Sequence, residues 1–73
     1  KGVVRDPKVH IEVIERILAF VQEMGFTVKN LDFSPIKGPE GNIEYLVHIQ
    51  KGFGSREGIV DVAQLVAKAH GTL

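Results

Sequence analysis

Cysteine and tryptophan are missing from this chain, and tyrosine and methionine occur once each. Without cysteine no disulfide can reinforce the fold, and nothing points to an oxidising compartment. Net charge is missing too, since nine Lys and Arg balance nine Asp and Glu. That balance excludes the broad positive field on which non-specific nucleic-acid binding by this chain alone would depend. No apolar run approaches the ~18 residues of a membrane span, and no signal peptide is recognisable. The expectation is a soluble, cytoplasmic chain. The three histidines, His10, His48 and His70, lie far apart with no ligand spacing, so no zinc site is expected.

A hydrophobic content of 44% is too high for a disordered segment. At 73 residues the chain makes at most one domain, and one this small buries only roughly 60% of its unfolded surface. Asp6-Pro7 is a good helix start: Asp accepts from free amides, and Pro at the first helical position loses no needed donor. From there Val9, Val13, Ile17 or Leu18, Val21 and Met24 recur at helical spacing, with Ile14 and Phe20 widening the stripe. Glu12 and Arg16 form a favourable pair one turn apart, and Gly25 supplies a left-handed cap.

Residues 27–33 read as a strand with broken alternation, because Phe26 and Val28 lie on one phase and Leu31 and Phe33 on the other. A bulge near Lys29-Asn30 is predicted. Pro35, Gly38-Pro39 and Gly41-Asn42 form a turn region. Ile43, Tyr45, Val47 and Ile49 then alternate with Glu44, Leu46, His48 and Gln50, giving a strand over 43–50 antiparallel to the first. Gly52-Phe53-Gly54-Ser55 lacks the ending of a phosphate loop and reads as a flexible connection. Ser55 is the expected cap of a last helix carrying Ile59, Val62, Ala63, Val66 and Ala69 on one face and ending before Gly71. The order is α-β-β-α. Two strands leave sheet edges unpaired, and Leu46 faces away from its apolar neighbours, as in a sheet covered on both sides. The chain therefore reads as a single partial domain over residues 1–73.

Two segments carry a resemblance: Lys1-Gly2-Val3-Val4-Arg5-Asp6-Pro7, and Ser34 to Tyr45 with its Gly41-Asn42-Ile43-Glu44-Tyr45 core. Together they resemble the C-terminal part of the TlyA family, hemolysins by name, which are similar to FtsJ-type RNA 2′-O-ribose methyltransferases. The resemblance runs from Lys1 to about Gln50. It implies an α/β fold, the C-terminal part of a Rossmann-like S-adenosylmethionine methyltransferase sheet that ends in an antiparallel hairpin. On that fold ligands bind outside the carboxyl ends of the parallel strands. The end of strand 27–33 and the start of strand 43–50 then share the active-site rim.

The resemblance further implies that Glu44 matches the last member of the family's Lys-Asp-Lys-Glu tetrad. A carboxylate opposes the lowering of a lysine pKa, so Glu44 is cast as an orienting group and not as the base. Ser34, Lys37 and Arg5 are the candidate substrate contacts, with Asp6 as a plain helix cap. The tetrad lysines and the S-adenosylmethionine loop are expected upstream of Lys1, and Lys1 itself takes no catalytic role. The partner is ribosomal RNA, the cofactor belongs to the intact parent, and this portion alone is expected to be inactive with no cofactor of its own. Two other readings remain open. One is a small α+β interaction module that dimerises through an open sheet edge. The other is a membrane-active hemolysin resting on the amphipathic helix 7–24, against which stand a polar face poor in lysine and the lack of Trp.

Overall fold

The computed structural model of the chain describes residues 3–57 and 61–73, so the expectations placed on Lys1, Gly2 and Ile59 lie outside the described residues. Its elements follow the α-β-β-α order: α1 (Pro7–Glu23), β1 (Phe26–Phe33), β2 (Tyr45–Lys51) and α2 (Val62–Thr72).

Helix α1 begins where Asp6 caps it, its Oδ1 accepting from the Lys8 amide at 2.9 Å. It stops at Met24, after which Gly25 turns at φ +91°. The Arg16 guanidinium donates to Glu12 at 3.1 Å on the exposed face. Exposed pairs of this kind add at most a few tenths of a kcal/mol.

The bulge falls where the broken alternation predicts it. Val28 pairs with Ile49 and Asn30 with His48, so Lys29 is the extra residue. Its insertion brings Val28 and Leu31 back onto one face, where Val28 pairs with Ile49 and Leu31 with Val47. The strand keeps its hydrophobic side turned to the helices because of this one unpaired residue. On that side Ile14 and Leu18 of α1, Val28 of β1 and Val62 and Val66 of α2 make the core, with Ile11, Val21, Leu31, Tyr45 and Ile49 packed around it. Burying a side chain such as Leu18 contributes about 1.5–3 kcal/mol.

Three expectations need correction. The apolar surface of α1 is divided: Val13, Ile17, Phe20 and Met24 remain 46–59% exposed. β2 begins at Tyr45, so Glu44 stands immediately before the strand and not within it. The last helix is capped by Asp61, whose Oδ1 accepts from the Gln64 amide at 3.2 Å, and it runs through Gly71 to Thr72. Ser55 is engaged elsewhere. Its carbonyl accepts from the Val28 amide at 2.7 Å, and the Glu57 amide donates to the Val28 carbonyl at 2.7 Å. Residues 55–57 thus lie parallel beside β1, opposite β2. A peptide committed to that pairing cannot also open a helix.

The Gly52–Gly54 connection is a fixed turn. The Gly52 amide donates to the Gly25 carbonyl at 2.6 Å, and Thr27 Oγ1 donates to the Gly52 carbonyl. Gly54, at φ +62°, lies so close to α1 that a Cβ there would meet the Gln22 carbonyl oxygen at 2.6 Å. Phe53 between them takes a positive φ of 68° and is fully exposed.

Candidate functional site

The turn between the strands is built by backbone bonds. The Gly41 amide donates to the Gly38 carbonyl at 2.9 Å, and the Gly38 amide to the Asn42 carbonyl at 2.7 Å. Pro39 occupies the position after the first residue of this four-residue turn, where its fixed φ suits it. The Asn42 side chain folds back, its Oδ1 accepting from the Glu40 amide at 3.4 Å. The Ser34 amide then donates to the Glu44 carbonyl at 2.8 Å, which prolongs the ladder one step past Tyr45.

Glu44 is exposed at this end of the hairpin. Among the described residues its carboxylate takes part in no ion pair. Ser34 stands across the ladder from it, with its Oγ accepting from the Ile36 amide at 3.3 Å. Lys37 and Arg5 lie elsewhere. They meet at a cleft of about 150 Å³ that is also lined by His10, Asn42, Ile43 and His70. The four sequence-predicted site residues therefore fall into two groups, Glu44 with Ser34 and Arg5 with Lys37.

Arg5 reaches the turn through long bonds of 3.5 Å from its guanidinium to the carbonyls of Glu40 and Gly41. This couples the segment before α1 to the Gly41-Asn42 motif, so the two stretches that carry the family resemblance touch in space. Lys37 makes no ion pair among the described residues.

A histidine cluster closes the floor of the cleft. His10 Nε2 lies 2.8 Å from the Val4 carbonyl oxygen, which can only accept, so Nε2 carries the proton. In the neutral ring Nδ1 is then the acceptor. Two groups converge on it, the Tyr45 hydroxyl at 2.9 Å and His70 Nε2 at 3.1 Å. The His10 ring meets Tyr45 edge-on at 5.5 Å and His70 at 4.9 Å between centroids. Burial, then the neighbouring His10 and Lys37, hold the His70 pKa below its usual 6.5, with Asp6 acting in the opposite sense. Burial likewise raises the Tyr45 phenol above 10.0. Sequence reasoning missed this cluster because His10 and His70 stand 60 positions apart and show no local spacing. Among the described residues no three His, Cys, Asp or Glu side chains gather where they could hold a metal.

Over its whole length the chain is 43% identical to Putative rRNA methyltransferase YqxC of Bacillus subtilis (strain 168), spanning 27% of that protein. It is 38% identical over 47 residues to Hemolysin A of Brachyspira hyodysenteriae, matching 64% of this chain and 20% of that one. Among solved structures, a putative hemolysin from Streptococcus thermophilus superimposes with a TM-score of 0.86 at 41% identity, over 96% of this chain and 26% of that one. The crystal structure of a putative hemolysin from Lactococcus lactis gives 0.82 at 43% identity, over 90% of this chain and 32% of that one. The chain belongs to the TlyA-like, hemolysin-named family. Within it, the α-β-β-α unit corresponds to a C-terminal portion of the hemolysin structures. No family model matches. The chain spans about a quarter of the length of these longer relatives. No helix among the described residues is long and apolar enough to cross a membrane.

Proposed function

We propose that this chain is the rim-forming portion of an S-adenosylmethionine-dependent ribosomal RNA 2′-O-ribose methyltransferase, acting in the cytoplasm as part of a longer protein. The observation that carries the reading is the 43% identity, across the entire chain, to a protein named as an rRNA methyltransferase. The exposed carboxylate of Glu44 at the hairpin's motif end supports it. So does the uncovered apolar stripe Val13, Ile17, Phe20 and Met24, which suits a portion of a larger domain.

Glu44 is an acceptor only, so its service is orientation. Placed past the end of β1 and before β2, it can hold a lysine ammonium or a ribose hydroxyl in line for reaction. The Ser34–Glu44 backbone bond fixes the height of that carboxylate above the sheet.

The cleft beside Arg5 and Lys37 is too small to seat S-adenosylmethionine. The cleft of about 150 Å³ is well below the ~300 Å³ at which small-molecule pockets begin. The Gly52–Gly54 turn engages its amides internally, with Gly52 donating to Gly25 and Gly54 to Gly52. In this reading the cofactor is held by the rest of the longer protein, and the portion alone transfers no methyl group.

The deciding experiment measures transfer of labelled methyl from S-adenosylmethionine to ribosomal RNA by the full-length protein, with and without Glu44→Gln. Wild-type transfer that falls by about 10²-fold or more in the variant is expected for a group that orients the reacting atoms. Transfer untouched by E44Q would remove Glu44 from the site, and no transfer by wild type to either ribosomal subunit would overturn the reading.

A further inference from the structure

We propose that the cleft between Arg5, His10, Lys37 and His70 is a second RNA contact that takes a backbone phosphate of a nucleotide flanking the one methylated. It rests on the RNA reading above but uses none of the residues assigned there to the reaction.

The lining gathers two fixed cations and two imidazoles and includes no acidic side chain among the described residues. They come from four separate parts of the chain: Arg5 from the entry segment, His10 from α1, Lys37 from the strand connection and His70 from α2. Such convergence is not a consequence of local sequence. The donors are also unsatisfied. The guanidinium of Arg5 has five N–H groups and uses two of them at the limiting distance of 3.5 Å. Lys37 pairs with no carboxylate among the described residues.

The imidazole pair leaves a third donor looking for an acceptor. His10 Nδ1 has a single lone pair, yet the Tyr45 hydroxyl and His70 Nε2 both approach it. One of them must share. An oxyanion in the cleft resolves the competition, because it accepts from His70 and leaves Tyr45 the lone pair of His10. It also compensates the positive charge of Lys37, which otherwise repels a protonated His70. Asp6 is the one carboxylate whose charge reaches His70, and its side chain is occupied in capping α1. The volume of about 150 Å³ admits a phosphate group with water.

Position names the phosphate's source. Ile43 lines the cleft and Tyr45 belongs to the histidine cluster, whereas Glu44 lies between them in sequence. Successive side chains of an extended segment point to opposite sides, so Glu44 and the cleft stand back to back across one backbone. A single RNA strand crossing this edge offers a ribose to Glu44 and a neighbouring phosphate to the cleft.

The test follows the His10 and His70 imidazole resonances of the full-length protein by NMR across a pH series. Sodium sulfate serves as a phosphate mimic that does not titrate in this range, and a short single-stranded oligoribonucleotide serves as the RNA probe. Both should shift His70 and raise its titration midpoint, since bound anion and bound proton favour one another. R5A combined with K37A, both surface changes, should weaken each effect about tenfold or more, while Glu44→Gln leaves them in place. No response of His70 to either probe overturns the proposal, as does a response that survives in R5A/K37A. A response to sulfate without one to the oligoribonucleotide overturns the RNA assignment. A protein that shows the full RNA response yet transfers no methyl group supports the cleft and sinks the methyltransferase reading, so the two failures are distinguishable.

Discussion

Helix α1 presents two apolar stripes of similar composition and opposite circumstance. Ile11, Ile14, Leu18 and Val21 pack into the core or against it, whereas Val13, Ile17, Phe20 and Met24, about a third of a turn away at 3.6 residues per turn, stand half exposed. Nothing in the residue types separates them. The first stripe is covered because β1 and α2 fall on that side, and the second has no covering element among the described residues. Hydrophobic spacing therefore identifies surface that is to be covered without saying which element covers it.

The comparison is tested most directly by truncating one residue from each stripe. Leu18→Ala should cost about 2–5 kcal/mol by chemical denaturation, through lost transfer energy and a cavity in the core. Ile17→Ala should cost no more than about 0.5 kcal/mol in this unit alone, yet approach the Leu18 value in the full-length protein. Equal small effects of Ile17→Ala in both contexts would mean that the second stripe stays bare in the parent.

A smaller effect is expected at the helix start, which serves both stripes equally. Asp6→Ala removes the acceptor for the Lys8 amide and should lower stability by about 1 kcal/mol. Asp6→Asn should recover most of it. Failure of that rescue would assign the loss to the nearby charges and not to the cap.

Smallest of all is a pH effect at the same end of α1. His70 is held below its usual 6.5 in the fold, so the unfolded chain binds more protons than the folded one in the interval between the two values. The contribution is fully present above about pH 6.5 and is lost as pH falls through the lower folded value. Denaturation midpoints should therefore decline across that interval, and His70→Gln should flatten the decline. A slope unchanged by the substitution would show that His70 is not its source.

Much of the fold could be read from local chemistry. α1 announced itself through Asp6-Pro7 and its period, and the bulge at Lys29 through the change of phase between Val28 and Leu31. The start of α2 could not be read, because Ser55 is a good cap by residue type and only its distant pairing with Val28 removes it from that role. The candidate site was legible in part for the same reason. Its turn and its carboxylate sit in one contiguous motif, whereas the cleft joins Arg5 to Lys37 and His10 to His70 across most of the chain. Only folding brings those four together.

The pairing of residues 55–57 with Val28 also gives the sheet a direction. β1 is flanked on both sides at Val28, which is in register with Ile49 of β2 and hydrogen-bonds through its own amide and carbonyl to the returning chain on the other flank. That margin is stoppered by the unit's own backbone. A further strand finds an open border along β2, whereas along β1 the chain's own backbone already occupies the position at Val28.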